Sequence, residues 1–178
     1  MRNPFDNEER KAFRDTIRKY CETEIEPNIV TWDEAGAYPH EINEQFCQLG
    51  IYGFAIPEEF GGNGIDDQFM RKDAATEMGR TGAGGLMASV GSRSIMMKPL
   101  FELANDEIKS RALPELLSGR KAGALGITEP GGGSDVANMK THARLEGDEW
   151  VINGQKMFIT GGMQASYFVV GARTGGPG

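Results

Sequence analysis

The residues best equipped for chemistry fall in two glycine-flanked stretches late in the chain. The first, Gly126-Ile127-Thr128-Glu129-Pro130-Gly131-Gly132-Gly133-Ser134-Asp135, joins a short apolar run to a glycine loop bearing hydroxyl and carboxylate groups. Glycines allow a ligand close to the backbone, and a phosphate or the polar edge of a flat ring can be met there by successive N–H groups. The same stretch also reads as an ordinary tight loop. The second, Asn153-Gly154-Gln155-Lys156-Met157-Phe158-Ile159-Thr160-Gly161-Gly162, opens on a hairpin-turn dipeptide and ends in an aromatic, a hydroxyl and two glycines. That set can stack on a flat ring and hydrogen-bond its edge; the competing reading is a strand that buries Phe158 in the core.

Other chemistries are poorly supplied. Val136 stands where a dinucleotide loop needs its third glycine, and no Gly-Lys-Ser/Thr phosphate loop occurs. His40 and His142 are the only imidazoles and lie far apart in sequence, and no serine sits in a Gly-x-Ser-x-Gly elbow. Cys21 and Cys47 each sit inside a helical pattern and read as buried free thiols. With 19 Lys plus Arg against 26 Asp plus Glu, the formal charge is −7 and no basic run is dense enough for a nucleic-acid backbone. No apolar run reaches the length of a signal core or a membrane span, so the expected location is the cytoplasm or an organelle matrix.

The elements that must position these loops are mostly helical. Phe13, Ile17, Tyr20 and Cys21 recur at helical spacing in a helix expected to start with an Asp6/Glu9 capping box and to end at Pro27. A second helix is expected from about Pro39 to Leu49, closed by Gly50. Asp66 is expected to cap a third, with Phe69, Met70, Ala74 and Met78 as its apolar stripe. An apolar segment follows from about Gly85 to Met97, kinked or stopped by Pro99, and then a helix capped by Asn105 and closed at Ser118-Gly119, with Pro114 disturbing it. After Arg120 the pattern changes to strands: Ala122 to Thr128, a hairpin through Asn153-Gly154 that continues into Met157-Phe158-Ile159, and Tyr167 to Val170.

The two glycine motifs, at their mutual spacing, resemble those of the acyl-CoA dehydrogenase family, Thr-Glu-Pro-Gly-x-Gly-Ser-Asp followed by Asn-Gly-x-Lys-x-Trp/Phe-Ile-Thr/Ser. The resemblance extends upstream to Gly50-Ile51-Tyr52-Gly53, to residues 56–64 and to Leu113-Pro114 with Ser118-Gly119. It implies an α+β fold: an all-α amino-terminal lobe over residues 1–120, then an incomplete antiparallel β-barrel or sandwich lobe over 121–178. It also implies FAD, faced by Leu125, Ile127, Thr128, Gly133, Ser134, Phe158, Ile159 and Thr160, with Gly133 and Ser134 also beside the acyl-CoA thioester. Phe158 stands where many relatives carry Trp, and Leu125 where some carry an aromatic residue.

By the same resemblance, the complete enzyme would oxidise an acyl-CoA to a trans-2-enoyl-CoA. A glutamate from a carboxy-terminal helical domain, absent from this sequence, would take the α-proton, and electrons would pass to an electron-transfer flavoprotein. The resemblance further implies a homodimer or homotetramer, no metal and no catalytic residue within these 178 positions, so the chain by itself is expected to be inactive; Glu129 is expected to orient its loop. Two alternatives stand beside this reading, a flavin monooxygenase or oxidase of the same fold and a non-enzymatic helical interaction module.

Overall fold

The computed structural model describes residues 5–176. Six helices come first, α1 (Glu8–Tyr20), α2 (Ile29–Ala35), α3 (Glu41–Gln48), α4 (Gln68–Arg80), α5 (Gly84–Leu103) and α6 (Asp106–Leu117). Four short strands follow, β1 (Gly123–Gly126), β2 (His142–Glu146), β3 (Glu149–Asn153) and β4 (Tyr167–Val170). The α+β class inferred from the sequence is therefore the class of the fold.

Helix boundaries shift by a residue where a better cap lies next door. Asn7, not Asp6, caps α1 by accepting the Arg10 amide at 2.8 Å, which leaves Asp6 to pair with Arg14 at 3.1 Å. Asp67, not Asp66, caps α4 by accepting the Phe69 and Met70 amides. Asn105 caps α6 as expected, accepting from Ile108 at 2.9 Å. The three prolines do not stop their helices. Pro27 sits in the short 3-10 turn Glu26–Asn28, where its missing N–H is not needed, and the chain runs on into α2. Pro99 and Pro114 lie inside α5 and α6, and the residues whose carbonyls they leave unbonded, Ile95 and Ser110, are on exposed faces.

The core sits between the helices, with Ile17, Ile25, Phe46, Met96 and Leu113 almost fully buried. Phe46 is its aromatic centre, edge-on to Tyr20 at 5.6 Å and to Tyr52 at 6.5 Å. Ion pairs lace α1 to α4 in matching order, Arg10 to Asp67, Arg14 to Asp73 and Arg18 to Glu77. The two arginine intervals of four residues keep all three on one helix face. Both cysteines are free; burial pushes the Cys21 thiol up to about 11 and the Cys47 thiol up to about 12, so both are inert neutral thiols.

The strands depart from the expected all-antiparallel pairing. β2 and β3 form an antiparallel pair, but β1 and β4 are parallel, Gly123 opposite Tyr167 through Gly126 opposite Val170. The long excursion between β1 and β4 returns the chain to the end of the sheet where β1 began, as a parallel pair requires. The hairpin turn lies at Gly147-Asp148, with Gly147 at φ +64°, rather than at Asn153-Gly154. Gly154 instead meets Thr141 so closely that an added Cβ would lie 2.3 Å from its Oγ1. The expected strand over Met157-Phe158-Ile159 is irregular chain. β1 is pressed onto α5: a Cβ at Gly123 would stand 2.1 Å from Met96 Sδ. The Tyr167 hydroxyl ties β4 to α6 by donating to Glu115 at 2.5 Å.

Candidate functional site

The two glycine-flanked stretches meet. Met157 donates its amide to the Thr128 carbonyl at 2.9 Å, and the Lys156 ammonium donates to the Ile127 carbonyl and to the Glu129 carboxylate, each at 2.9 Å. Glu129 is the hub of this junction. It is 6% exposed and also accepts the Lys140 and Thr141 amides at 2.5 and 2.8 Å. Thr141, the Lys140 amide and the Lys156 ammonium together hold its carboxyl far below the usual carboxylate range. A carboxylate so held stays ionised and is a poor proton acceptor, and its bonds tie Lys140, Thr141 and Lys156 together.

The eight residues singled out from the sequence divide into three groups. Thr128 and Gly133 lie together: a Cβ on Gly133 would be 3.2 Å from Thr128 Oγ1. Ser134, next to them, is exposed. Phe158, Ile159 and Thr160 follow directly on the Lys156–Met157 junction. Phe158 is 84% exposed and holds a left-handed backbone at φ +56°, an uncommon state for a bulky residue. Leu125 and Ile127 are placed differently. Leu125 packs against the helical core, and Ile127 reaches Gly171, whose added Cβ would meet it at 2.9 Å. Among the described residues the hydroxyls of Thr128, Ser134 and Thr160 make no hydrogen bond, whereas the Thr160 carbonyl accepts from Ser92 on α5 at 3.5 Å.

Two clefts are present, and the second reaches this region. One, of about 570 Å³, lies between α4 and α5 and is walled by Phe54, Met78, Met87, Val90 and Met97, with Arg71 and Lys98 the cations on its wall. The Arg71 Nε is buried without a hydrogen bond, its guanidinium standing over the Phe54 ring at 5.4 Å. The other, of about 650 Å³, runs from α2 and α3 to residues 159–166 and includes Trp32, Tyr38, Arg93, Ile159 and Thr160. Sequence reasoning assigned no role to Lys156 and did not single out Arg93. The available signals were a lone cation inside a glycine motif and a guanidinium inside an apolar helical segment.

Comparison with known proteins gives a consistent result. The family described as "Acyl-CoA dehydrogenase, N-terminal domain" matches residues 7–120, and "Acyl-CoA dehydrogenase, middle domain" matches residues 124–178. A 3-(aryl)acrylate reductase of Clostridium sporogenes is 34% identical over 96% of this chain and 45% of its own length. Among solved structures, a putative acyl-CoA dehydrogenase of Mycobacterium smegmatis superposes with a TM-score of 0.90 at 40% identity, over 99% of this chain and 46% of that one. A glutaryl-CoA dehydrogenase of the same organism, in complex with FADH2, gives 0.88 at 30% identity, over 95% and 43%. The chain thus spans less than half the length of these relatives.

Proposed function

The chain belongs to the acyl-CoA dehydrogenase family, and on that premise we propose that it supplies the helical layer and part of the flavin-facing wall of an FAD-dependent acyl-CoA dehydrogenase. The division falls at residues 120 and 121, helices before it and strands after. The observation that carries the reading is Phe158, an exposed ring on a strained backbone, set beside the Thr128 strand end by the Lys156–Glu129 clamp. Strain of this kind persists where the surroundings over-determine it, which is common at ligand sites.

The residues fit an isoalloxazine. Thr128 and Thr160 offer unengaged hydroxyls to its polar edge, Phe158 offers apolar stacking area, and the Gly133-Ser134 backbone is open to an acyl thioester. When bound, the flavin supplies the hydride acceptor for the acyl β-carbon. The chain's own part is to orient the ring and thioester, which is the positioning share of the catalysis. The acyl chain is assigned to the cleft between α4 and α5, whose walls are mainly apolar. Glu129 cannot serve as the base, because its carboxylate is already engaged by two amides and Lys156. The proton acceptor is therefore assigned to a glutamate outside these residues, and an electron-transfer flavoprotein to the role of electron acceptor. A homodimer or homotetramer is the proposed assembly.

The test is anaerobic titration of a polypeptide extended to the length of its relatives and loaded with FAD. Acyl-CoA is expected to bleach the flavin absorbance and yield enoyl-CoA; no bleaching by straight, branched or dicarboxylic acyl-CoA refutes the dehydrogenase. Because the Clostridium relative is named a reductase, the dithionite-reduced protein is also tested for reoxidation by enoyl-CoA.

A further inference from the structure

Arg93 lies on α5 with 8% of its surface exposed, yet it makes no ion pair and no hydrogen bond among the described residues. Of the polar groups around it, the Tyr52 hydroxyl is likewise buried without a hydrogen bond among the described residues, while Tyr38 is engaged. The Tyr38 hydroxyl is 2.6 Å from Ser89 Oγ and donates to Asn43 at 3.3 Å. Burial holds the neighbouring Cys47 thiol and Tyr52 phenol in their neutral forms against the pull of Arg93, so neither supplies an anion. A guanidinium in such a place has lost most of its hydration without gaining a counter-ion, a cost that an arriving anion offsets.

Arg93 lines the 650 Å³ cleft, and the charge around it is mainly positive. Arg120 and Lys121 stand on the same cleft, both exposed and, among the described residues, without a carboxylate partner, against the single exposed carboxylate of Asp33. The aromatic walls are Trp32 and Tyr38, tilted at 54° with centroids 6.5 Å apart. The volume suits a ligand of nucleotide size.

We propose that this cleft binds a small organic oxyanion with a flat aromatic body, its charged head on Arg93 and its ring against Trp32. A planar guanidinium pairs with carboxylate and phosphate alike through two parallel hydrogen bonds. Arg120 and Lys121 at the rim draw the anion in and are screened by salt. The cleft shares Ile159 and Thr160 with the proposed flavin-facing wall, but none of its cations belongs to the glycine motifs.

The experiment follows Trp32 fluorescence in the full chain carrying Trp150→Phe, titrated separately with AMP, phenylacetate and inorganic phosphate. Saturable quenching by AMP or phenylacetate is expected, and which of the two binds tighter identifies the head as phosphate or carboxylate. Arg93→Met is expected to weaken that binding at least tenfold. The surface variant Arg120→Ser/Lys121→Ser is expected to weaken it several-fold and flatten its salt dependence, and remains informative if Arg93→Met fails to fold. The proposal is overturned if neither organic anion saturates, if inorganic phosphate binds as tightly as both, or if the surface variant binds like its parent at low and high salt.

Discussion

At the scale of single residues, Glu129 and Phe158 carry opposite kinds of information. Glu129 is satisfied on every side, and its folded carboxyl titrates below the ordinary glutamate value of 4.5. The stabilisation it gives is therefore complete above that value and is lost as the pH falls through the lower, folded one. Glu129→Gln should melt at a lower temperature than the parent at pH 7, with the gap closing between pH 4.5 and strongly acid conditions. Parallel melting curves across that range, followed by circular dichroism, would sink this account. Phe158 is the reverse case, an exposed ring held at φ +56°. Phe158→Gly relieves the backbone and should raise the unfolding free energy by about 1 kcal/mol or less. In the extended polypeptide the same change should weaken FAD binding; unchanged affinity by fluorescence titration would take Phe158 out of the site.

At the scale of elements, the junction between the strands and the helices is set by the absence of a side chain. β1 lies so close to α5 that Gly123 leaves Met96 no room for a methyl group, with Leu116 Cδ2 also within 3.0 Å of an added Cβ. Gly123→Ala must push back a buried methionine and should cost about 2 to 3 kcal/mol, read as a lower denaturant midpoint. Met96→Ala in that background should recover part of the loss, since it removes the side chain that collides; no recovery would place the strain elsewhere. The same logic explains Gly119, at φ +78° and with the Glu44 backbone 2.7 Å from any Cβ, where α6 ends against α3.

At the scale of the whole molecule, strands and helices share one core, but much apolar surface stays uncovered. Ile95 and Leu103 on α5, Phe158, Met163 and Phe168 are all more than half exposed. β1 and β4 pair only with each other among the described strands, as do β2 and β3, so both sheets present open edges. Exposed apolar residues and free edges of this kind favour association. The chain alone should bind FAD far more weakly than the extended polypeptide, because the proposed function assigns part of the pocket to residues outside it. Equal affinity in a side-by-side titration would contradict the proposed division of the site.

The sequence by itself determined five of the six helices, missing α2 beyond Pro27, together with the change to strands after Arg120 and the pairing of the two glycine motifs with a family. These are written in local periodicity, in caps such as Asn105, and in residue order, all of which act over a few neighbouring positions. Cap competition is local as well: Asn7 caps α1 while Asp6 pairs with Arg14, two turns along the same helix. Only the tertiary structure decided that β1 and β4 run parallel, that Gly154 marks a close approach to Thr141 rather than a hairpin turn, and that Glu129 and Lys156 clamp the motifs together. It alone placed Arg93, part of an apolar helical pattern in the sequence, where it is buried without a counter-ion among the described residues. Each of these depends on contacts between residues far apart in the chain, and short-range pattern carries no record of which distant groups will meet.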